Sequence, residues 1–231
     1  MKTIVVLTGA GMSAESGIST FRDSGGLWDQ YNVEDVATPE GFRKNPELVL
    51  DFYNKRRRES FGAKPNLGHT GLAAMETDFN VHVITQNVDN LHEKAGSTNV
   101  LHLHGELVKV RSVNNPDLIY TLTEDNPDIH IGDKGEDGAQ LRPHIVWFGE
   151  AVPAIEEAMN IVQKADILVI IGTSLNVYPA AGLINYVKEG TPIYLIDPQE
   201  VRTNVQGVHF IRKGASEGVK ELRQIVGNSR E

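Results

Sequence analysis

The sequence predicts an α/β fold, a doubly wound and mostly parallel sheet with a small inserted domain. Three observations lead there. Short, β-branched, nearly continuous apolar runs alternate with amphipathic stretches, the pattern of parallel strands covered on both faces. The first of these runs ends in a glycine-rich turn. Two polar segments break the alternation, residues 18–45 and 112–143, and read as a long loop and an acidic, loop-rich insertion.

In chain order, strand-like runs fall at Thr3–Thr8, Val81–Thr85, Val100–His104, Asp166–Ile171, Pro192–Asp197 and Val208–Ile211. Helix-like stretches fall at Pro46–Ser60, Leu67–Thr77, Pro153–Lys164, Ala180–Lys188 and Ala215–Val226. Such sheets bind ligands at the carboxyl ends of their strands. Between Asn114 and Gln140 stand Asp117, Glu124, Asp125, Asp128, Asp133, Glu136 and Asp137 against the single base Lys134. The expected division is therefore a main domain of residues 1–109 and 142–231, with 110–141 as the insertion and a helix over 40–62 contributing to the small domain.

Composition narrows the function. The chain has 231 residues, enough for one large domain or one with a smaller insertion. Its 22 Lys+Arg against 31 Asp+Glu leave a net charge of −9, without the basic footprint of a nucleic-acid binder. It has no cysteine, which excludes disulfides, a thiol nucleophile and a thiolate zinc site. The longest apolar run, Ile167–Ile171, is too short for a bilayer, and no signal-peptide pattern precedes the first strand. A cytoplasmic protein with no membrane partner is expected.

After Thr3–Thr8 comes Gly9-Ala10-Gly11-Met12-Ser13-Ala14, a strand followed by G-x-G-x-x-A. Gly9 permits a tight turn, Gly11 lets backbone approach a pyrophosphate, and Ala14 is small enough for helix–strand packing. Taken alone, the turn fits a cofactor site and a plain connector equally. The acidic residue that closes the second strand in dehydrogenases is missing, because Glu34 and Asp35 lie in no strand pattern. That disfavours hydride transfer.

Val81–Thr85 runs into Gln86-Asn87-Val88-Asp89. Amides and a carboxylate at a strand's end can hold a ribose or a carboxamide, although Asn87 and Asp89 equally suit helix capping, the commoner use. His102 and His104 share one face of their strand, and His104, last in it, falls where the ligand crevice should open. An imidazole there can act as a general base. His69, His82 and His209 read as structural. His102 and His104 lack a third ligand at ordinary spacing, so no metal is assigned to them.

These segments together resemble the sirtuins, NAD-dependent protein lysine deacylases with a Rossmann-like NAD-binding fold. The resemblance rests on Gly9–Ile18 with Phe21-Arg22; Thr85-Gln86-Asn87-Val88-Asp89-Asn90-Leu91-His92; His104-Gly105-Glu106; Arg142-Pro143 with Val146-Trp147-Phe148-Gly149-Glu150; and Gly172-Thr173-Ser174 with Val177-Tyr178-Pro179-Ala180-Ala181. It implies that Gly9, Ala10, Gly11 and Ala14 bind the NAD phosphates, with Phe21 and Arg22 in the cofactor loop. Gln86, Asn87 and Asp89 would line the ribose and nicotinamide pocket, and His104 would be the general base. Gly172, Thr173, Ser174 and Ala215 would contact the phosphates and adenosine. Asp197 and Gln199 would stand at the adenosine-binding strand end, where the family often has Asn. Strands at Val146–Gly149, which includes Phe148, and at Leu175–Val177 would sandwich an extended acyl-lysine peptide by strand addition. NAD is then a consumed co-substrate, leaving nicotinamide, acyl-ADP-ribose and free lysine. A mono-ADP-ribosyltransferase or NAD hydrolase on the same fold is the alternative, since the first bond broken is the same.

Two further features are expected. Tyr53 and Arg56, neighbours on one helical face, resemble the pair in bacterial members acting as deacetylase, desuccinylase and demalonylase. A guanidinium and a phenol suit a carboxylate, although without that context a packed Tyr beside a solvated basic run is the commoner reading. Ser24 falls where those members keep a small residue. Most sirtuins carry four zinc-binding cysteines; with none here, no zinc is expected, and packing of Leu118, Ile119, Leu122, Ile129 and Ile131 should hold the small domain.

Overall fold

A computed structural model describes residues 1–19 and 30–228. Its main sheet has six parallel strands: β1 (Thr3–Thr8), β2 (Asn80–Thr85), β3 (Val100–His102), β7 (Ile167–Ile171), β8 (Ile193–Ile196) and β9 (Val208–Ile211). Their spatial order is β3-β2-β1-β7-β8-β9. The chain thus winds outward from β1 through β2 and β3, then returns beside β1 and winds the other way. The crevice of such a sheet opens at this reversal. The register aligns Thr8 with Thr85 and with Ile171, and Ile171 with Ile196, so the carboxyl ends are level there.

Every residue of β1 after Thr3 is buried, with Ile4 and Val6 on one face and Val5 and Leu7 on the other. The first face packs on Leu72 and Met75 of α5 (Leu67–Met75) and on Val219, Leu222 and Val226 of α8 (Ala215–Asn228). The second packs on Ala158 and Val162 of α7 (Ile155–Val162) and on Leu183 and Ile184 of a 3-10 helix, Ala180–Tyr186. The α-helix expected at Ala180–Lys188 is therefore a shorter 3-10 segment. Among the described residues no helix is long and apolar enough to cross a membrane.

The polar stretch 18–45 carries short helices, α2 (Val33–Val36) and α3 (Pro39–Lys44), where its described residues resume. The 17-residue helix α4 (Pro46–Gly62) follows, started by Pro46 and by an Asn45 side chain accepting from the Leu48 N–H. A short helix α6 (Leu91–Lys94) leads to β3. That strand ends two residues sooner than expected: only Val100–His102 pair with β2, and the chain bends at Leu103-His104.

The bend opens β4 (Gly105–Ser112), which forms a second, antiparallel sheet ordered β5-β4-β6 with β5 (Ile119–Thr121) and β6 (Leu141–Ile145). The insertion thus contains some sheet. Its core matches the expected one only in Leu122 and Ile129. Leu50, Val110 and Ile129 are buried together, with Phe42, Tyr120, Leu122 and Leu141 packed against them. Ile119 and Ile131 are exposed, since Ile119 lies on the outer face of β5 and Ile131 leads into the Gly132 turn. Arg57 of α4 is fully buried here; its guanidinium donates to the carbonyls of Leu107 and Pro127 and to Asn54 Oδ1.

Candidate active site

At the reversal point two turns press together, and this explains the glycines. Gly9 N–H donates to Ile171 O, and Gly11 N–H to Gly172 O, at 3.0 and 2.9 Å. A Cβ on Gly9 would stand 2.7 Å from Gly172 O and from Thr173 Cβ, and one on Gly11 would stand 2.7 Å from Gly172 Cα. Gly172 has φ +62°, and a Cβ there would fall 2.3 Å from Met12 N. The turn after β1 and the turn after β7 therefore form one cradle in which side chains are excluded. Helix α1 (Gly11–Ala14) starts directly from it. Gln86 Nε2 donates to Thr173 Oγ1 at 3.2 Å, tying the loop after β2 to the same place. Such bare backbone fits a dinucleotide's phosphates.

Beneath the cradle lies a buried polar network. Asn87 Nδ2 donates to Gly9 O (3.0 Å) and Ser13 Oγ (3.2 Å), while Asp89 Oδ1 accepts the Leu91 N–H. Asn87 and Asp89 are thus both tied down, the first across the crevice and the second to the first N–H of α6. Burial pushes the Asp89 carboxyl up, against the Leu91 N–H and the Ser13 hydroxyl. His69 Nδ1 accepts the Asn66 N–H, so its proton is on Nε2, 3.5 Å from Ser13 Oγ. Burial holds that ring down to about 4, and it is neutral. His92, packed edge-on against His69, lies 3.1 Å from Thr8 Oγ1.

His104 is held by its backbone neighbour across the crevice. Its Nδ1 lies 3.1 Å from Gln86 O, and a carbonyl can only accept, so Nδ1 carries the proton and Nε2 keeps its lone pair. Burial lowers its pKa below the usual histidine value, with the Gln86 carbonyl partly opposing. His102 differs. Burial disfavours its charge, but Glu93 at 2.7 Å, with Glu106, outweighs that and holds its pKa above the ordinary value. Glu93, His102 and Glu106 lie close enough to share a cation. Each is already matched, His102 with Glu93 and Glu106 with Lys109.

On the other side of His104 opens a cavity of about 200 Å³. Tyr53, Arg56, Val146, Trp147, Phe148 and Tyr178 are among its walls. Tyr53 and Arg56 are both buried, at 2% and 9% exposure, so the basic run of α4 is not simply solvated. Burial pushes the Tyr53 phenol up to about 12, and it stays protonated. Arg56 also borders the smaller pocket formed by Ala10, Ser13, Asn87 and Asp89. One guanidinium thus lies between the two halves of the site.

The expected peptide strands need correction. β6 ends at Ile145, and neither 146–149 nor 175–177 is in a strand. The N–H groups of Val146, Trp147 and Phe148 point inward to His104 O, Glu150 Oε2 and Ala37 O. Gly149 follows with φ +87°. Both segments nevertheless border the cavity, through Val146–Gly149 and Val177.

Ser174 follows Thr173 after β7, and Asp197 and Gln199 follow β8, where Asp197 Oδ1 accepts the Gln199 N–H. Ala215 opens α8, next to Ser216, whose N–H donates to Glu15 Oε1. Ala14 closes α1. Phe21, Arg22 and Ser24 lie outside the described residues. In the small domain, Ser112 Oγ donates to Asp137 Oδ2 at 2.5 Å and accepts the N–H groups of Asn114 and Asn115. A hydroxyl and a carboxylate bonded to each other are not a zinc donor set.

Sequence reasoning did not single out the group around Trp147. Arg142 stacks over the indole at 3.5 Å and pairs with Glu150 at 2.7 and 3.1 Å. Glu150 Oε2 also accepts the Trp147 N–H. Arg142, Trp147 and Glu150 stand in one quoted motif, but nothing in its spacing reveals that they brace one another.

A parallel sheet with a glycine cradle at its reversal point, an oriented imidazole and an adjoining cavity defines a dinucleotide-using protein of the sirtuin type. The sequence profile described as the Sir2 family matches residues 9–179, and the chain belongs to that family. A Bacteroides thetaiotaomicron protein named NAD-dependent protein deacylase is 63% identical over 230 residues, covering 98% of both chains. A Helicobacter pylori protein of the same name is 51% identical over 223 residues, covering 96% of this chain and 94% of its own. Among solved structures, a Sir2 homologue–NAD complex superposes with TM-score 0.87 at 42% identity, covering 99% of this chain and 90% of its own. A Sir2 variant bound to a deacetylated peptide and an acetyl ADP-ribose superposes with TM-score 0.84 at 30% identity, covering 97% and 94%.

Proposed function

We propose that the protein is an NAD-dependent protein-lysine deacylase that removes acetyl groups and, through Tyr53 and Arg56, succinyl and malonyl groups. The observation that carries this is the position of His104. Its unprotonated Nε2 belongs to a ring bonded to Gln86, between the glycine cradle and the cavity walled by Tyr53 and Arg56. A base held there can serve both a nucleotide on one side and an acyl chain on the other.

In this reading Gly9, Ala10, Gly11, Ala14, Gly172, Thr173 and Ser174 receive the phosphates, with Asp197, Gln199 and Ala215 toward the adenosine. Phe21 and Arg22 belong to the same cofactor set. Gln86, Asn87 and Asp89 hold the nicotinamide ribose and carboxamide. The acyl-lysine carbonyl oxygen attacks ribose C1′ as nicotinamide departs, giving an imidate. His104 Nε2 takes the proton from a ribose hydroxyl, whose oxygen then attacks the imidate carbon. With uptake of one water, lysine and acyl-ADP-ribose leave.

The substrate is an acylated lysine of a protein, its extended backbone lying beside Val146, Phe148 and Gly149. Nucleic acid and membrane are not partners in this reading, and a cytoplasmic location accords with NAD as co-substrate. Residues 1–109 and 142–231 form the NAD-binding domain. Residues 110–141, joined by the helix within 40–62, form a small domain that needs no zinc. Its support is the shared core of Leu50, Val110 and Ile129 and the Ser112–Asp137 bond.

The test is nicotinamide release from NAD with and without acyl-lysine peptides, for the parent and for His104→Ala. Release that requires the peptide, with lysine freed, is expected; His104→Ala should lose lysine release and sustained turnover, because nicotinamide departs before the base acts. Peptide-independent release would instead make the protein an NAD hydrolase, and peptide labelling without deacylation an ADP-ribosyltransferase.

A further inference from the structure

We propose that Trp147 is a specificity-determining positioning residue, which aims the Tyr53 hydroxyl proton at the carboxylate of an acidic acyl chain. The inference rests on the acidic-acyl reading above and deepens it. Trp147 Nε1–H donates to Tyr53 Oη at 3.1 Å, across 94 residues of sequence and in a fully buried setting. An indole N–H can only donate, so the Tyr53 oxygen must accept it. The remaining role of that hydroxyl is to donate its own proton, and the residue lines the cavity that Arg56 and His104 also line. Left without the indole, a phenol oxygen can accept as readily as donate, and an accepting oxygen repels a carboxylate. The indole removes that option.

The indole is itself fixed. Arg142 covers its face at 3.5 Å, Glu150 pairs with Arg142, and Glu150 Oε2 accepts the Trp147 backbone N–H. The ring of Phe42 packs against it at a centroid distance of 5.3 Å. The indole end of the hydrogen bond is therefore held in place. The chain of contacts from Glu150 through Arg142 and Trp147 to Tyr53 sets the direction of one proton in the acyl cavity. An acetyl group has no carboxylate to receive it, so the arrangement discriminates between acyl chains and not between lysines.

The experiment compares KM and kcat for succinyl- and acetyl-lysine peptides of one sequence in the parent, Trp147→Phe, Tyr53→Phe and the double variant. In Trp147→Phe the succinyl KM should rise about 3- to 10-fold relative to the acetyl KM, the worth of one hydrogen bond, with the kcat ratio unmoved. Tyr53→Phe should shift the same ratio, and the double variant no further, because the indole acts only through the hydroxyl. Equal shifts for both peptides in Trp147→Phe, or multiplying effects in the double variant, would overturn the proposal. If Trp147→Phe does not fold, Arg142→Lys loosens the seat and leaves the indole. A succinyl-selective rise in KM supports the proposal there, and an unmoved ratio overturns it. A parent enzyme with no succinyl turnover, indifferent to Arg56→Met, would instead bring down the acidic-acyl reading itself.

Discussion

Replacing Arg56 by Met tests the acyl pocket at its charged end. The side chain is 9% exposed, and burial depresses its pKa, so the folded protein already bears a cost for keeping a cation there. A carboxylate arriving in the cavity would meet a guanidinium with little competing water and a neutral Tyr53 phenol beside it. Removing one partner of such a buried charge pair costs roughly 2–5 kcal/mol. At 1.36 kcal/mol per decade, that lowers succinyl kcat/KM by about 30-fold to several thousand-fold. Arg56 also borders the pocket of Ser13, Asn87 and Asp89, so nicotinamide-side steps will change as well. The informative quantity is therefore the ratio of succinyl to acetyl kcat/KM, which cancels what both substrates share. Arg56→Lys should fall between, since it keeps the charge and loses the fork. Steady-state kinetics with paired peptides decide it. A ratio unchanged in Arg56→Met would refute the reasoning.

Other outcomes follow from the same geometry. His104 must be unprotonated to accept the ribose proton, and its pKa lies below 6.5, so kcat/KM should be flat through neutral pH and fall only below that value; a fall on the alkaline side of 6.5 would contradict this. Arg57→Met should lower stability to urea by about 2–5 kcal/mol, because the carbonyls of Leu107 and Pro127 lose their buried donor. Prolonged EDTA treatment should change neither melting temperature nor peptide turnover, whereas Ser112→Ala should lower the melting temperature by freeing the Asn114 and Asn115 turn from Asp137. EDTA sensitivity would restore a structural metal.

The parallel sheet was legible because its central strands β1, β7 and β8 are short apolar runs buried on nearly every residue, a signal confined to a few adjacent residues. The second sheet was not. β4 mixes Leu107, Val108 and Val110 with Glu106, Lys109 and Arg111, and β6 contains Pro143. Their pairing joins residues from 29 (Ser112 with Leu141) to 40 (Gly105 with Ile145) apart, so local composition says little about it. The first glycine turn could be read as a possible cradle, but its reason could not. Gly9 and Gly11 are required by the backbone of Gly172, which only the fold brings against them.

The basic run of α4 carries the same lesson into the site. As sequence, Lys55-Arg56-Arg57-Arg58 reads as one solvated face, yet the fold gives its three arginines different environments. Arg58 reaches Asp128 at the surface, while Arg57 is fully buried and satisfies carbonyls of the small sheet and its insertion. Arg56 lines the acyl cavity beside Tyr53. A helix turns 100° per residue, so three consecutive cations must point in three directions. Which of them holds the fold and which meets a substrate depends on what packs around the helix. Arg57 anchors α4 to β4, and that anchoring fixes the turn on which Tyr53 and Arg56 stand. Loosening Arg57 should therefore disturb acyl selection as well as stability, even though its own guanidinium points away from the cavity into the small sheet.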